Sequence, residues 1–267
     1  DGTTPPIGDW PVHSVSTVSI NRSKCFGDSG FAVIKNDDLY VSIICGHRSP
    51  AHKHVDDTSI SIRFKGIDIC IDAGNYNFDR TSPYRRCLES SFGHSGVFVS
   101  EVDGLLTSDY LKLNPDGRFV KWSEKDSGVQ AQVELTLNSP NVKLVRDVEV
   151  IWPGTIIVED TINFDHLSEG SVRQCWVIGR ELSRSFSLHP ANQIAFETDA
   201  ISALFTFDSP SPNERVTFNR GVLSPQPRGW CSMKDNEIDE ALEISRYDSG
   251  RSVCFVTRID LNSKLCC

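Results

Sequence analysis

Four of the seven histidines in this 267-residue chain lie between Gly46 and Ser95. His47, His52, His54 and His94 share that stretch with the Asp56-Asp57 pair and with Asp72. Imidazoles and carboxylates are the groups that ligate divalent metals and move protons near neutral pH. On an extended segment, residues two apart point to one side, so His52-x-His54 can turn both rings toward one site. Asp72, ending an apolar strand pattern, and His94, just before another strand, can approach that segment. Two histidines and an aspartate leave one coordination position open and suit zinc or a similar divalent ion. The same residues also fit a hydrogen-bonded polar cluster or a general acid–base histidine, and ligand type alone keeps these alternatives open. Asp56 and Asp57 could orient an imidazole through its other nitrogen, or serve only as turn carboxylates. Tyr84-Arg85-Arg86 sets a phenol beside two guanidinium groups, which suits a carboxylate or sulfate; a solvated loop is the alternative. Trp10, Trp122, Trp152, Trp176 and Trp230 could stack on sugars, although Trp152 and Trp176 sit in strand patterns and read as core. His13, His166 and His189 are isolated and read as structural or exposed.

The elements that must position these groups are short strands. Phe31–Ile34 and Leu39–Ile44, joined by Asn36-Asp37-Asp38, read as a hairpin. Ser59–Phe64 alternates polar and apolar residues, Lys65-Gly66 suits a two-residue turn, and Ile67, Ile69 and Ile71 alternate with Asp68, Cys70 and Asp72. Asn75–Glu89 is polar and reads as a loop. Strand patterns recur at Gly96–Ser100, Val129–Leu137, Val142–Ile151, Thr155–Phe164, Gln174–Ile178, Ala203–Phe207, Leu242–Tyr247 and Val253–Ile259. Turn residues separate them, as at Asn114–Gly117, Pro153-Gly154 and Asp248–Gly250. Helical periodicity is nearly absent, with Asn236–Leu242 the one stretch that could form a turn or two. Such a chain is all-β: a large antiparallel β-sandwich with almost no helix. Residues 1–14, rich in Gly, Pro and Thr, read as a leader or linker, and 15–267 as one sandwich domain.

Composition narrows the function classes. An apolar share of 39% and a charged share of 24% are ordinary for a soluble globular chain. The net charge of −9, from 27 basic and 36 acidic residues, argues against nucleic acid as partner. A local cluster of arginines could still hold an anionic sugar. No stretch reaches the length and apolarity of a membrane span. There is no G-x-S-x-G elbow, P-loop or G-x-G-x-x-G. The nine cysteines are irregularly spaced without C-x-x-C, and read mostly as buried free thiols. The chain opens on Asp1 rather than Met, as a processed product or a portion of a longer protein would.

Several motifs occur in a recognisable order. They are Phe26-Gly-Asp-Ser-Gly-Phe-Ala-Val33, His52-Lys-His54-x-Asp56-x-x-Ser59, Gly66 followed by Asp72-Ala-Gly-Asn-Tyr76, then Tyr84-Arg85 and Phe92-Gly-His94. Farther on come Val145-Arg-Asp-Val-Glu-Val-Ile-Trp-Pro-Gly-Thr-Ile-Ile-Val-Glu-Asp160, Gly229-Trp-Cys-Ser232 and Val256-Thr257. Together they resemble the C-terminal β-sandwich of the heparinase II/III-like polysaccharide lyases, over roughly residues 26–260. The resemblance implies cleavage of an acidic, uronic-acid-containing polysaccharide (a glycosaminoglycan or alginate) by β-elimination. It also implies His52 as the catalytic histidine facing substrate, and His54, Asp72 and His94 as ligands of a structural zinc. By motif order the two histidine roles could be exchanged. Tyr76, Tyr84 and Arg85 are then the substrate-binding candidates, and Asp56 a support for an imidazole. The family joins its sandwich to an N-terminal α/α toroid that supplies further catalytic groups, so a toroid on this or another chain is the expected partner. A periplasmic or secreted location follows from the resemblance as well. Ser95 departs from the asparagine usual after the motif histidine.

Two other functions compete. One is a non-catalytic, zinc-stabilised carbohydrate-binding or structural sandwich. The other is a cupin-like metal enzyme, because Gly46 and His52-x-His54 match the opening of that motif. The glutamate expected four or five residues later is missing, and Pro153-Gly154 lacks the histidine of a second motif.

Overall fold

The structure, a computed structural model, describes residues 22–46, 53–165, 168–190, 192–208 and 211–264. The chain begins with a run of antiparallel neighbours: β1 (Lys24–Phe26), β2 (Phe31–Lys35), β3 (Leu39–Ile44), β4 (Ser59–Phe64) and β5 (Ile67–Cys70). Lys65 and Gly66, at φ of 48° and 83°, make the two-residue turn between β4 and β5 that the right-handed twist of a hairpin favours. A short helix, α1 (Pro83–Glu89), then β6 (Val97–Val99) and α2 (Thr107–Tyr110) follow. Four long strands form a meander, β7 (Asp116–Lys125), β8 (Gly128–Asn138), β9 (Asn141–Ile151) and β10 (Thr155–Phe164). After them come β11 (Gly170–Ile178), β12 (Phe186–His189), β13 (Gln193–Glu197), β14 (Ile201–Asp208) and β15 (Arg215–Arg220). A two-residue pair, β16 (Trp230–Cys231) and β17 (Asp239–Glu240), precedes β18 (Leu242–Gly250) and β19 (Ser252–Ser263).

These strands make two large antiparallel sheets. The nine-stranded sheet runs β1-β2-β3-β4-β5-β11-β18-β15, with β6 also paired to β11. The eight-stranded sheet runs β12-β13-β14-β19-β10-β9-β8-β7. Alternation explains why they face each other: Val129, Ala131, Val133, Leu135 and Leu137 of β8 are buried, and so are Val142, Leu144, Val148 and Val150 of β9. Ile34, Val41, Ile43, Ile60 and Ile62 of the opposite sheet join the same apolar cluster, so one core holds the two layers together. This is the expected β-sandwich.

Two local expectations are corrected. Asn236–Leu242 holds no helix; its Glu240 pairs with Trp230 and Leu242 opens β18. The polar stretch before Glu89 is not all loop, since Ser82 caps α1 through its side chain and Pro83 occupies the first helical turn. Strands β7, β12 and β15 escaped the sequence pattern because they lie at sheet edges, where exposed faces erase the alternation.

Candidate functional site

Backbone constraints bring three separated segments together. Asp72 leaves the end of β5, and the next residues are tied on both sides: the Ala73 N–H donates to the Gly93 carbonyl and the Ser232 N–H to the Ala73 carbonyl. At Gly74, with φ of 83°, an added Cβ would meet the Ser232 carbonyl oxygen at 2.0 Å, so only glycine allows this approach. Gly93 is crowded in the same way, 2.4 Å from the Leu88 carbonyl oxygen to an added Cβ. His94 follows it and is fully buried. The His54 segment is held by Val55 N–H to the Glu89 carbonyl and by the Thr107 hydroxyl to the Lys53 carbonyl at 2.6 Å.

His54, Asp72 and His94 meet, with one ligand atom of each within 4.8 Å of the others. The Asp72 carboxylate accepts from His94 Nδ1 at 3.0 Å through one oxygen and from the Gly74 N–H at 2.9 Å through the other. The two imidazole centroids are 5.4 Å apart. Burial pushes His54 toward its neutral form, and the neighbouring His94 adds to that effect. Burial also disfavours the charged form of His94, but Asp72 more than offsets it and raises the proton affinity. Burial pulls Asp72 upward, yet the attraction of His94 outweighs it and holds the carboxyl below its usual range. His94 Nε2 is buried and has no hydrogen-bond partner among the described residues. A donor set of two imidazoles and a carboxylate, with one unsatisfied buried nitrogen, fits a zinc-type ion. All seven cysteines among the described residues are free thiols, Cys25 and Cys254 half-buried and the others buried. Burial pushes Cys45, Cys87 and Cys175 up to about 12, so none of these is a ready thiolate nucleophile.

Of the other expected residues, Arg85 reaches this cluster directly. Arg85 is buried; its Nη1 lies 3.4 Å from His54 Nε2 and its Nη2 is 3.1 Å from a Glu89 oxygen, while its Nε has no partner among the described residues. Tyr84 packs edge-on against Tyr76 at 5.8 Å and against Trp230 at 5.1 Å. Asp56 is paired with the buried Lys53 at 2.5 Å and makes no hydrogen bond to an imidazole among the described residues; Asp72 orients His94 instead. Asp57 accepts from the Gly46 N–H at 2.7 Å and from the Tyr110 hydroxyl at 2.6 Å, which fixes the end of the histidine segment. His52 and His47 lie outside the described residues, as do His13, His166, Trp10 and the Cys266-Cys267 pair.

Sequence reasoning missed Arg146. It is fully buried, forms a paired contact with Asp160 at 2.7 Å for both bonds, and donates to the Thr58 carbonyl at 2.7 Å and the Ser95 carbonyl at 3.0 Å. One guanidinium from β9 therefore ties down the chain just after His54 and just after His94. The signal was present: Arg146 and Asp160 occupy inward positions in otherwise apolar alternations, and they are direct partners in the β9–β10 register.

Comparison with known proteins adds a family pattern and several similar folds. The family model described as "Heparinase II/III-like, C-terminal" matches residues 21–250. A solved heparinase III has a TM-score of 0.76 at 16% identity, covering 91% of this chain and 36% of its own. The heparan sulfate lyase HepC from Pedobacter heparinus has a TM-score of 0.73 at 15% identity, with 91% and 36% covered. A galactose 1-epimerase from Lactobacillus acidophilus NCFM has a TM-score of 0.54 at 9% identity, covering 88% of this chain and 95% of its own. At such identities the likeness is one of fold, and unlike activities share it. The chain spans about a third of the length of the two lyases. No curated protein matches the sequence.

Proposed function

The chain belongs to the heparinase II/III-like C-terminal family, and from that premise we propose that it is the β-sandwich part of a polysaccharide lyase acting on a uronic-acid-containing polymer. The observation that carries this reading is the convergence of His54, Asp72 and His94 beside the buried cation Arg85. In β-elimination a base takes the proton from C5, which is acidified by the adjacent carboxylate. The electron pair forms the C4=C5 double bond while the C4–O bond breaks, and an acid protonates the leaving oxygen. His52, two residues before His54, is assigned to the substrate side. Arg85 and Tyr84, with Tyr76 behind them, would face the uronate carboxylate. His54, Asp72 and His94 would hold zinc, which when bound supplies a cross-link between three loop segments. The remaining catalytic groups would come from an α/α toroid on the same or another chain, in keeping with the one-third coverage of the solved lyases.

The test is incubation of the complete, zinc-loaded protein with heparan sulfate, other glycosaminoglycans and alginate, following the ultraviolet absorbance of the unsaturated uronate product. Absorbance growth on one of these polymers is expected; none on any of them overturns the reading. A second reading, a zinc-stabilised sandwich without a catalytic part, is favoured by the complete burial of His94. It predicts that His52→Ala leaves the activity of the complete protein unchanged while zinc removal lowers the melting temperature.

A further inference from the structure

Three alternate residues of one short segment touch three different supports of the candidate site. The Arg228 guanidinium lies over the Phe92 ring, 3.9 Å from its centroid, and Phe92 is two residues before His94. The Trp230 ring packs on Tyr84 at 5.1 Å, and Tyr84 precedes Arg85. Ser232 donates its N–H to the Ala73 carbonyl at 2.8 Å and forms a bridge with Gly74, immediately after Asp72. Trp230 and Cys231 are extended as β16, and the chain turns at Gly229 between Arg228 and Trp230. Gly229, at φ of 68°, lets the segment run close to the Asn219 carbonyl, which an added Cβ would meet at 2.3 Å.

Arg228 is itself fixed in direction. It holds both oxygens of the fully buried Glu243, one through Nε at 2.6 Å. A second buried guanidinium, Arg173, lies 4.8 Å from the same Phe92 ring. Its Nη2 donates to the Ser91 hydroxyl at 2.8 Å and to Asp103 at 2.6 Å. Ser91 and Phe92 are thus gripped by two arginines whose charges are matched by Asp103 and Glu243. An apolar filling of equal volume would avoid the desolvation cost of four buried or half-buried charges. What the ionic version adds is a fixed direction, through forked hydrogen bonds and a guanidinium resting on a ring.

We propose that Arg228–Ser232 is a positioning strap for the site, with Arg228 setting the His94 loop through Phe92, Trp230 setting Arg85 through Tyr84, and Ser232 setting the exit from Asp72. The proposal rests on the reading of His54, Asp72 and His94 as one centre. Arg228 touches neither ligand atoms nor substrate in this scheme; it acts through Phe92.

The test uses Arg228→Met, Arg228→Lys and Phe92→Leu in the complete protein. Three quantities are measured: zinc affinity by competition with a chelating dye, the His94 imidazole resonances of the metal-free protein by NMR, and the thermal transition. The methionine and leucine variants are expected to weaken zinc binding roughly 10- to 100-fold, as the loss of outer supports does at metal sites. They should also shift the His94 resonances while unfolding stays cooperative, and lysine should recover part of the affinity. If Arg228→Met does not fold, Phe92→Leu decides, because it keeps the ion pairs and removes only the ring. A lower melting temperature with zinc affinity and His94 resonances unchanged would overturn the strap. Should the wild type take up no zinc, the metal reading fails, and the His94 resonances alone still decide the positioning role.

Discussion

Asp72 and His94 form the pair on which the centre depends, and their mutual effect sets a sign for pH dependence. Asp72 raises the proton affinity of His94 above its ordinary value of 6.5. A group whose folded-state affinity is raised adds stability that is fully present below the unfolded value and is lost as pH rises through the folded value. Asp72→Asn removes that attraction. In chelator-treated protein, the stability difference between wild type and Asp72→Asn is therefore expected to be largest below pH 6.5 and to narrow as pH rises above it. Roughly 1 kcal/mol is the expected size, because solvent screens the partly exposed carboxylate. Thermal melts across that range check it; a difference that stays constant would mean that the pair acts as a neutral hydrogen bond. His54 moves in the opposite sense, since its depressed proton affinity makes stability fall as pH drops below 6.5, and His54→Ala should remove that fall.

At the scale of elements, most inner strands were legible and the long-range ties between segments were not. The β4–β5 hairpin could be read from its alternation and its Lys65-Gly66 turn because both are local effects of backbone geometry. Likewise His54, Asp72 and His94 stood out by residue type. Helix α1 was hidden because seven residues are too few for a helical period, and its Ser82-Pro83 start resembles any loop. Nor could the sequence pair Arg146 with the carbonyls of Thr58 and Ser95, since those contacts join residues 88 and 51 positions apart. That long-range tie gives a prediction. Arg146→Met leaves Asp160 buried without its partner and should cost roughly 3–5 kcal/mol, read from chemical denaturation. Adding Asp160→Leu should restore much of that stability, because an apolar pair avoids the desolvation of two charges. Zinc affinity should not return in the double variant, as the two carbonyls beside the site still lack their donor. Recovery of both properties together would show that Arg146 serves the core and not the site.

For the whole molecule, the decisive relation is between a self-contained core and site groups carried on loops at its edge. One apolar cluster draws on both sheets, so the sandwich has what it needs to fold by itself. Its site groups, by contrast, lie on loops at the end of one sheet, and this chain spans only about a third of the length of the lyases of similar fold. On the proposed reading this chain builds one wall of the cleft, and zinc belongs to that wall. Folding and metal uptake should then separate from turnover. The isolated chain is expected to unfold cooperatively and to be more stable with zinc than with chelator, by about 2.7 kcal/mol at a free-metal concentration 100 times Kd, so that it melts higher. It should release no unsaturated uronate product from heparan sulfate or alginate, while a preparation that also contains the toroid should release it. Turnover by the isolated sandwich would place all the catalytic groups within these 267 residues. The division into a metal-holding wall and a separate catalytic wall would then be wrong, and the second half of the proposed cleft would not be needed.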